Sequence, residues 1–506
     1  VFVRFGYQKI IGYVEDVKET ALSKTELEQQ AGFHYQYIQE VIDQEPLLNE
    51  ELQQLALQLS KLTLSPRIAC LQAMLPSQLK PSTNHSVGLK LQTVACFLQE
   101  GKAKTKKQQE CLDYLKTHSP TPIKDIPYSK NILDQLVKQG LIEYQKQEVY
   151  RKPLDFFQTT NQDIILTNDQ QKVVDGIIAH PKRVALLHGV TGSGKTEVYL
   201  ALARYFLNKQ KSVMMLVPEI SLTPMMVKVF KERFGEQVAI LHSRLSQGEK
   251  YDEYRRIKRQ EVKIVVGARS AVFAPLENIG LIILDEEHDA SYKQESKPRY
   301  LTSQIAKIRA QTHQATVVLG SATPSLESYS RALKGVYDLY ELKNRINQMP
   351  LPTVEIVDMV NETRQRNYSL FSRRMKEQIQ ATIDRHEQVI LLLNKRGYAT
   401  YLQCQDCGEV VKCPHCDVTL TYHKDEHQLK CHYCEYVQSY PQSCAHCGST
   451  HFKTVGYGTQ KIEEELEKTF LNAKVIRYDV DTTKNKNSHF QLLEQFKKQK
   501  ANILLG

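Results

Sequence analysis

A phosphate-binding loop is indicated by the segment GVTGSGKT, which begins at Gly189. The glycines Gly189, Gly192 and Gly194 would let backbone N–H groups close around phosphates, Lys195 could reach the β- and γ-phosphate oxygens, and the Thr196 hydroxyl could ligate Mg²⁺. An apolar run precedes the loop and a helical pattern follows it, a context that disfavours an ordinary glycine turn. We therefore predict an ATP site with Mg²⁺, in which Lys195 is catalytic.

A pair of carboxylates follows the apolar run Leu281–Leu284. Nucleotide hydrolysis needs one carboxylate for Mg²⁺ and a second to orient or deprotonate the attacking water. We assign Asp285 to the metal and Glu286 to the water, both as catalytic residues. We expect Glu287 to have a structural role and His288 to be a coupling residue. The alternative is a merely solvated acidic loop, which the phosphate loop upstream disfavours.

A helix is predicted to open at Leu166–Gln171, with Asn168 or Asp169 as its cap. Gln170 could bind an adenine edge, because an amide offers a donor and an acceptor side by side. The alternative is that Gln170 is only a polar helix residue.

Eight of the 11 cysteines form four Cys-x-x-Cys pairs between Cys404 and Cys447, which predicts two tetrahedral zinc sites. The segments Val418–Tyr422 and Gln428–Lys430 resemble a hairpin that would bring the inner pairs together. Disulfides are disfavoured by this spacing in a reducing compartment. The nested arrangement places Cys413, Cys416, Cys431 and Cys434 on one Zn²⁺, and Cys404, Cys407, Cys444 and Cys447 on the other.

Short β-branched runs alternating with helix-length segments must position these groups. From Asp163 onward they predict a doubly wound, mostly parallel sheet with ligands at the carboxyl ends of its strands. The predicted strands of this first lobe are Val184–Leu187, Val213–Val217, Val238–Leu241, Ile264–Val266, Leu281–Leu284 and Val317–Leu319. A second α/β lobe, interrupted by the cysteine block, is predicted from Val354–Val357, Val389–Leu393, Val475–Tyr478 and Ile503–Leu505.

The N-terminal third has a different pattern. Residues 1–17 alternate around Gly6 and Gly12 like short strands, and leucines at helical spacing within residues 46–80 predict a helix. Three helical patterns within residues 108–139 precede Leu141–Tyr150, which resembles a β-wing, and this order favours a winged helix. A helical linker domain with a solvated lysine face stays open as the alternative.

Bulk composition agrees with an intracellular protein of three or four domains. The 506 residues carry a net charge of +10 and a mean hydropathy of -0.44, compatible with a polyanionic partner. The sequence contains no run of about 18 apolar residues and no signal-peptide pattern. Because the chain starts at Val1 and stops after an apolar run at Gly506, we expect a fragment at both ends.

Five motifs occur in the order and spacing of superfamily 2 helicases, and together with the cysteine block they resemble the PriA family of bacterial primosomal replication-restart helicases over essentially the whole chain. The motifs are GVTGSGKT, Leu216–Pro224, Gly267–Pro275, Asp285–Asp289 and Gly320–Ser325.

This resemblance implies an α/β fold with two RecA-like lobes, the second incomplete, preceded by a small β-rich DNA-binding domain and a winged helix. The expected domains are 1–80, a partial 3′-end DNA-binding domain with a helical linker; 90–155, the winged helix; 160–345, lobe 1; and 346–506, lobe 2 with the zinc insertion 402–450.

The resemblance also implies an ATP-dependent 3′-to-5′ DNA helicase that recognises stalled or branched forks and initiates primosome assembly. The implied partners are forked and single-stranded DNA, single-strand-binding protein and primosome or helicase-loading proteins, in the bacterial cytoplasm at the nucleoid and with no membrane. The competing class is a non-catalytic, zinc-stabilised fork-binding scaffold. An RNA-directed helicase of the same superfamily is disfavoured only by the resemblance.

DNA-contacting residues follow from the same resemblance. Tyr292 and Tyr300 are expected to stack on bases of single-stranded DNA, with Lys293 and Arg299 on phosphates. The remaining expected contacts are Gly6, Glu219–Pro224, Arg269, Ser270 and Thr459, with Ser321–Thr323 coupling ATP state to lobe movement. Asn394–Tyr398 resemble the strand-end motif that precedes the zinc insertion.

The arginine that would contact the γ-phosphate is expected beyond Gly506. We therefore expect this 506-residue piece to hydrolyse ATP poorly or not at all. DNA-stimulated turnover at the rate of a longer form would contradict this expectation.

Overall fold

A computed structural model describes all residues except 6, 42–44, 81–88, 152–164, 219–223, 244, 349, 351, 394–400, 424–426, 432, 456–458 and 479–487. It divides into two compact units, Val1–Pro350 and Leu351–Gly506. This division lies near the predicted start of lobe 2 at residue 346, and the other domain bounds stay predictions.

The N-terminal segment forms a small antiparallel sheet followed by helices. Its strands have the order β2-β1-β3. The helix predicted within residues 46–80 is two helices, because Leu64 takes a left-handed φ of +49° and Pro66 caps the next helix. The elements are β1 (Phe2–Phe5), β2 (Gln8–Ile11), α1 (Lys24–Ala31), β3 (Ile38–Glu40), α2 (Glu50–Thr63) and α3 (Arg67–Met74).

The next segment packs two helices on a three-stranded antiparallel sheet of order β5-β4-β6. The first and third predicted helical patterns form α-helices, the second is a 3₁₀ turn at Ile123–Asp125, and the predicted wing is a strand. The winged-helix assignment stays a prediction. The elements are β4 (Leu91–Phe97), α4 (Lys106–His118), β5 (Thr121–Pro122), α5 (Lys130–Lys138) and β6 (Ile142–Glu148).

A seven-stranded parallel sheet of order β13-β7-β12-β11-β8-β10-β9 occupies the rest of the first unit, which confirms the doubly wound fold. All six predicted strands are present, and β13 was not predicted. The elements are α6 (Asn168–Ala179), β7 (Val184–Gly189), α7 (Lys195–Asn208), β8 (Ser212–Leu216), α8 (Pro224–Phe234), β9 (Val238–Leu241), α9 (Gln247–Lys258), β10 (Ile264–Gly267), β11 (Ile279–Leu284), α10 (Thr302–His313), β12 (Thr316–Ser321), α11 (Leu326–Leu333) and β13 (Asp338–Leu342).

The central strand β11 shows why this sheet forms. Its six residues are all buried; Ile282 and Leu284 belong to the core on one face, and Leu281 and Ile283 to the core on the other. Alternate side chains of a strand point to opposite faces, so a continuous apolar run suits a sheet covered on both sides. The strand order brings the carboxyl ends of β7, β12 and β11 side by side.

The second unit contains a three-stranded parallel sheet, β14-β21-β20, and the cysteine-rich insertion. Three of its four predicted strands are present. The elements are α12 (Met359–Arg364), α13 (Arg373–Asp384), β14 (Val389–Leu391), β15 (Tyr401–Cys404), β16 (Thr421–His423), β17 (Gln428–Lys430), β18 (Val437–Ser439), β19 (Phe452–Val455), α14 (Thr459–Thr469), β20 (Val475–Arg477), α15 (Ser488–Lys497) and β21 (Ile503–Leu505).

The strand predicted at Val354–Val357 was wrong. The segment forms no strand, and Val354 and Ile356 are 81% and 93% exposed. β-Branched composition favours an extended chain, but a strand also needs a neighbour that takes up its backbone hydrogen bonds. Across the described helices of both units, length and apolarity fall short of a membrane span.

A buried arginine connects the N-terminal helices to the large sheet. Arg309 on α10 is fully buried and donates Nε and Nη2 to the two carboxylate oxygens of Glu51 on α2, at 2.6 Å each. Its Nη1 donates to the carbonyl oxygens of Val272 and Ala274 at 2.8 and 2.9 Å. This ion pair fixes both α2 and the loop after β10, because every bond uses the same planar guanidinium.

We predict that Glu51→Gln destabilises the first unit by about 3 kcal/mol at pH 7, since removing one charge of a buried pair leaves Arg309 uncompensated. Burial opposes ionisation of Glu51, but hydrogen bonds from His313 and Arg309 lower its pKa from 4.5 to about 2. The stabilisation is therefore complete above pH 4.5 and is lost as the pH falls towards 2.

Urea denaturation followed by far-UV circular dichroism checks this prediction. The midpoint difference between wild type and Glu51→Gln should shrink between pH 7 and acidic pH. Glu50→Gln, an exposed position of the same helix, is the control and should match wild type. Equal midpoints for Glu51→Gln and wild type at pH 7 would contradict the assigned role.

Candidate functional site

The phosphate loop connects the end of β7 to the start of α7 at the carboxyl edge of the large sheet. Gly192 and Gly194 have φ angles of +83° and +79°, which glycine adopts without the steric cost that a side chain imposes. The Lys195 ammonium donates to the carbonyl oxygen of Gly189 at 2.9 Å, so the lysine lies across its own loop. Thr196 is in the first turn of α7, beside the backbone N–H groups that favour anions.

Gln170 does not face an open base site. It is 2% exposed; its Oε1 accepts from the Thr167 N–H at 2.9 Å, and its Nε2 donates to the Ser193 carbonyl at 2.9 Å. Thr167, and not Asn168 or Asp169, caps α6 in a capping box with Gln170. The structure therefore corrects the expectation that Gln170 binds adenine: its amide is buried and holds the phosphate loop at Ser193.

Asp285 and Glu286 follow β11 directly. The Asp285 Oδ1 accepts a hydrogen bond from the Tyr199 hydroxyl at 2.9 Å, and Tyr199 is fully buried. Burial raises the pKa of Asp285, and the neighbouring Glu286 charge adds to this effect, whereas Tyr199 and Lys195 lower it. Glu286 has a left-handed φ of +45° and turns the chain sharply after the metal-ligand candidate.

The Tyr199 link was not predicted. Its position, three residues after Thr196 in the apolar helix α7, offered a signal, because a buried tyrosine hydroxyl normally needs a partner. A side chain at Gly320 would overlap the Tyr199 hydroxyl. The glycine of the Gly320–Ser325 motif is thus explained by the tyrosine that contacts Asp285.

Glu287 has the structural role expected for it. Its carboxylate accepts from the Ser325 N–H at 2.7 Å and from the hydroxyls of Ser325 and Ser328 at 3.2 and 2.9 Å. These hydrogen bonds fix the first turn of α11 to the segment that follows β11.

His288 joins the carboxylate motif to the Gly320–Ser325 motif. Its Nδ1 lies 2.8 Å from the Ser321 Oγ, and that oxygen accepts from the Thr323 N–H at 2.9 Å. The two motifs at the ends of β11 and β12 therefore share one hydrogen-bond chain. Its coupling role stays a prediction.

The expected base-stacking tyrosines are buried, which corrects that assignment. Tyr292 is 1% exposed and its hydroxyl lies 2.9 Å from the Leu216 carbonyl and 2.7 Å from the Asp285 carbonyl. Tyr300 is 6% exposed, packs edge-on against Phe273, and has a pKa raised to about 12 by burial. Neither ring presents a face to a base in this structure.

The same loop keeps its cations at the surface. Lys293 and Arg299 are exposed, as phosphate contacts would require. Arg269 donates to the carbonyls of Ser291 and Lys293 at 3.0 and 2.8 Å and so holds the loop in place.

A cleft of about 350 Å³ lies where this loop meets α3. Arg269 and Ser270, which follow β10, Lys297 of the loop, and Ala69 and Gln72 of α3 line it. Cationic and hydroxyl groups on a concave surface suit a nucleic-acid strand.

The expected DNA contacts Gly6 and Glu219–Thr223 lie outside the described residues, and so does the strand-end segment Asn394–Tyr398. Thr459 is described, is half-buried and begins α14, where backbone N–H groups would be available for a phosphate. Its role in DNA binding stays a prediction.

The eight cysteines of the insertion form two clusters, with the sulfur atoms of each within 4.8 Å of one another, and these clusters confirm the nested pairing. Strands β16 and β17 form the expected hairpin. A zinc ion at about 2.3 Å from four sulfurs spaces them about 3.8 Å apart. The Cys404–Cys447 and Cys407–Cys444 sulfurs are 3.6 Å apart and those of Cys413 and Cys434 3.5 Å, so both clusters fit Zn²⁺.

All four Cys-x-x-Cys pairs share one backbone geometry. In each, the N–H four residues after the first cysteine donates to that cysteine's carbonyl at 2.9–3.1 Å, and the first cysteine's own N–H donates to the carbonyl five residues on at 2.7–2.8 Å. The fourth residue has a left-handed φ each time. These residues are Gly408 (+80°), Asp417 (+52°), Glu435 (+61°) and Gly448 (+74°).

Zinc stoichiometry tests the pairing. We expect two Zn²⁺ per chain, about one after Cys413→Ser combined with Cys431→Ser, and almost none after Cys413→Ser combined with Cys404→Ser, since a site that keeps only two or three thiolates binds zinc much more weakly. Colorimetric zinc release from purified variants measures this.

Cys96→Ser, outside both clusters, should keep both ions. The opposite ranking of the two double variants would show that neighbouring pairs along the chain, and not nested ones, share each ion.

Three protein-family models match the chain. A DEAD/DEAH box helicase model matches residues 167–332, a 3′ DNA-binding domain model of PriA matches residues 1–76, and the PriA DNA helicase Cys-rich region model matches residues 413–438. The helicase match covers both the phosphate loop and the Asp285–Glu286 pair.

Similar solved structures include RecG bound to a three-way DNA junction and the DEAD-box helicase Mss116 bound to single-stranded RNA. The RecG chain is 16% identical, with a TM-score of 0.34, over 68% of this chain and 36% of its own. The Mss116 chain is 13% identical, with a TM-score of 0.38, over 67% of this chain and 60% of its own.

Curated relatives are much closer in sequence, and each is named replication restart protein PriA. The Synechocystis protein is 42% identical over 76% of this chain and 47% of its own length, and the Chlamydia pneumoniae protein 37% identical over 92% and 65%. The Bacillus subtilis protein is 41% identical over 100% of this chain and 72% of its own length. With this identity over its whole length, the chain belongs to the PriA family of replication restart proteins.

Proposed function

We propose that this protein is an ATP-dependent DNA helicase that recognises branched or stalled replication forks, moves 3′ to 5′ along one strand and initiates primosome assembly. The observation that carries the proposal is the phosphate loop and the Asp285–Glu286 pair at the ends of β7 and β11, on one edge of the sheet. Both lie within the region that matches the DEAD/DEAH box helicase model.

The chain's residues divide the hydrolysis between them. Backbone N–H groups of the loop and Lys195 would bind the phosphates of ATP, and Thr196 and Asp285 would hold Mg²⁺. The metal, when bound, neutralises charge that develops on the phosphates. Glu286 orients the attacking water and accepts its proton.

Tyr292 gives this site a connection to DNA. Its hydroxyl contacts the Asp285 carbonyl, so one buried ring joins the end of β11 to the loop that carries the exposed cations. Its backbone carbonyl accepts from the Thr302 hydroxyl at 2.8 Å, which fixes the loop to the start of α10. Binding of a DNA strand by Arg269, Lys293 and Arg299 would displace the loop and, with it, this ring. DNA binding and ATP state are thereby linked through packing.

The zinc insertion serves a structural and partner-binding role, because four thiolates fill each site and leave no open position for chemistry. We propose forked and single-stranded DNA, single-strand-binding protein and helicase-loading proteins as partners, in the cytoplasm at the nucleoid. The names of the relatives support replication restart as the process.

Lys195→Ala tests the motor. We predict at least a 100-fold loss of DNA-stimulated ATP hydrolysis and loss of fork unwinding, since phosphate charge in the transition state loses its cation. A fluorescence assay with a forked duplex measures this on the complete natural protein. Lys343→Ala is a charge-matched control, because it removes an exposed lysine whose ion-pair partner is Glu341. This variant should hydrolyse ATP and unwind the fork as wild type does.

Unwinding that survives Lys195→Ala would refute the motor and leave a fork-binding scaffold. Loss of unwinding with loading of other replication proteins intact would show that the motor and scaffold roles are separable.

Tyr199→Phe tests the Asp285 environment. Burial already raises the Asp285 pKa, and the Tyr199 hydroxyl lowers it, so removing the hydroxyl should raise it further. Because Mg²⁺ binds the ionised carboxylate, we predict Mg²⁺-ADP binding about three- to tenfold weaker at acidic pH, with recovery towards wild type as the pH rises. Calorimetry across pH measures this.

Tyr205→Phe, at a partly exposed position of the same helix, is the control. A pH profile for Tyr199→Phe that overlays wild type would contradict the role assigned to this hydrogen bond.

A further inference from the structure

The chain folds back onto the phosphate loop after β13. The Val190 N–H donates to the Leu342 carbonyl at 3.1 Å, and the Ile346 N–H donates to the Gly192 carbonyl at 3.0 Å. Arg345 adds a side-chain bond, from Nε to the Thr191 carbonyl at 3.1 Å. Residues 342–346 therefore line the loop along its tip.

Arg345 has donor capacity beyond these contacts. A guanidinium carries five N–H donors, and Arg345 uses Nε on Thr191 and one Nη on the Pro350 carbonyl at 3.5 Å. Within the described residues, the ion pairs include none formed by Arg345. Its stem lies 3.7–3.9 Å from the place where a side chain on Gly192 would begin, so a cation borders the tip of an anion-binding loop.

Ile346 supplies an apolar surface next to this cation. It is 55% exposed, and its Cδ1 lies 2.7 Å from the place where a side chain on Gly194 would begin. The Gln170 amide nitrogen lies even closer to that same place, is buried and donates to the Ser193 carbonyl. The buried Gln170 amide therefore does not offer a hydrogen bond to the base of a nucleotide, and the base needs another contact surface beside the loop.

From these contacts we infer that Arg345 is a nucleotide-binding residue whose guanidinium contacts the purine nucleotide held by the phosphate loop. Ile346 provides an apolar contact surface beside it. The inference rests on the proposed ATP site and extends it by a side chain outside the helicase motifs. Guanidinium suits both parts of such a ligand, because it pairs with phosphate oxygens and stacks on flat rings.

Titration calorimetry of the chain with Mg²⁺-ADP and with Mg²⁺-pyrophosphate tests the inference. We expect Arg345→Ala to weaken ADP binding about tenfold, the size of one lost charge-assisted contact, and Arg345→Lys to weaken it less. Lys343→Ala removes a cation two residues away that is 74% exposed, and should bind ADP as wild type does. Circular dichroism melting of each variant checks that the fold is intact.

The two ligands show which part of the nucleotide Arg345 contacts. Weaker binding of both ligands places it on phosphate, and weaker binding of ADP alone places it on the base; each result supports the inference. If Arg345→Ala and Arg345→Lys bind ADP as wild type does while Lys195→Ala does not, the inference fails and the proposed function stands. A wild-type chain that binds no ADP would overturn both.

Discussion

The hydrogen bond from Tyr199 to Asp285 is the interaction on which the candidate motor depends. A carboxylate at the end of a fully buried strand would be strongly disfavoured in its charged form without a donor, because the surrounding apolar core cannot solvate it. The tyrosine donates from the helix that begins at the phosphate loop, so the two halves of the nucleotide site are fixed to each other. Gly320 must lack a side chain for this pair to form.

From that pair, contacts extend in two directions along the sheet edge. Tyr292 connects the Asp285 backbone to the loop with exposed cations, and His288 connects the same acidic segment to Ser321 at the end of β12. Both links are short; the Tyr292 ring is buried, whereas His288 lies at the surface and reaches the buried Ser321 hydroxyl. These contacts connect the acidic segment of the nucleotide site to the loop that carries the exposed cations.

Much of this could be predicted from the sequence, for physical reasons. Buried parallel strands are continuous apolar runs, and the cysteine spacing defines tetrahedral sites, so both were correctly predicted. The edge strand Asp338–Leu342 was not predicted because its sequence is half polar. A strand was wrongly predicted at Val354–Val357, because its apolar residues do not show whether a neighbouring strand is present to pair with it. Thr167 and Gln170 carried a capping-box signal that explained Gln170 without a ligand. Burial of Tyr292 could not be predicted, since an aromatic loop has the same composition whether its rings face water or the core.

The nested zinc sites have a consequence for the order in which the insertion assembles. The inner site joins Cys413 to Cys434, 21 positions apart, whereas the outer one joins Cys404 to Cys447, 43 positions apart. Closing the shorter loop costs less chain entropy, and once it is closed the effective length of the outer loop shrinks as well. A metal bound at the inner site thus lowers the entropy cost of closing the outer one, which favours assembly of the insertion from its tip towards the lobe that carries it.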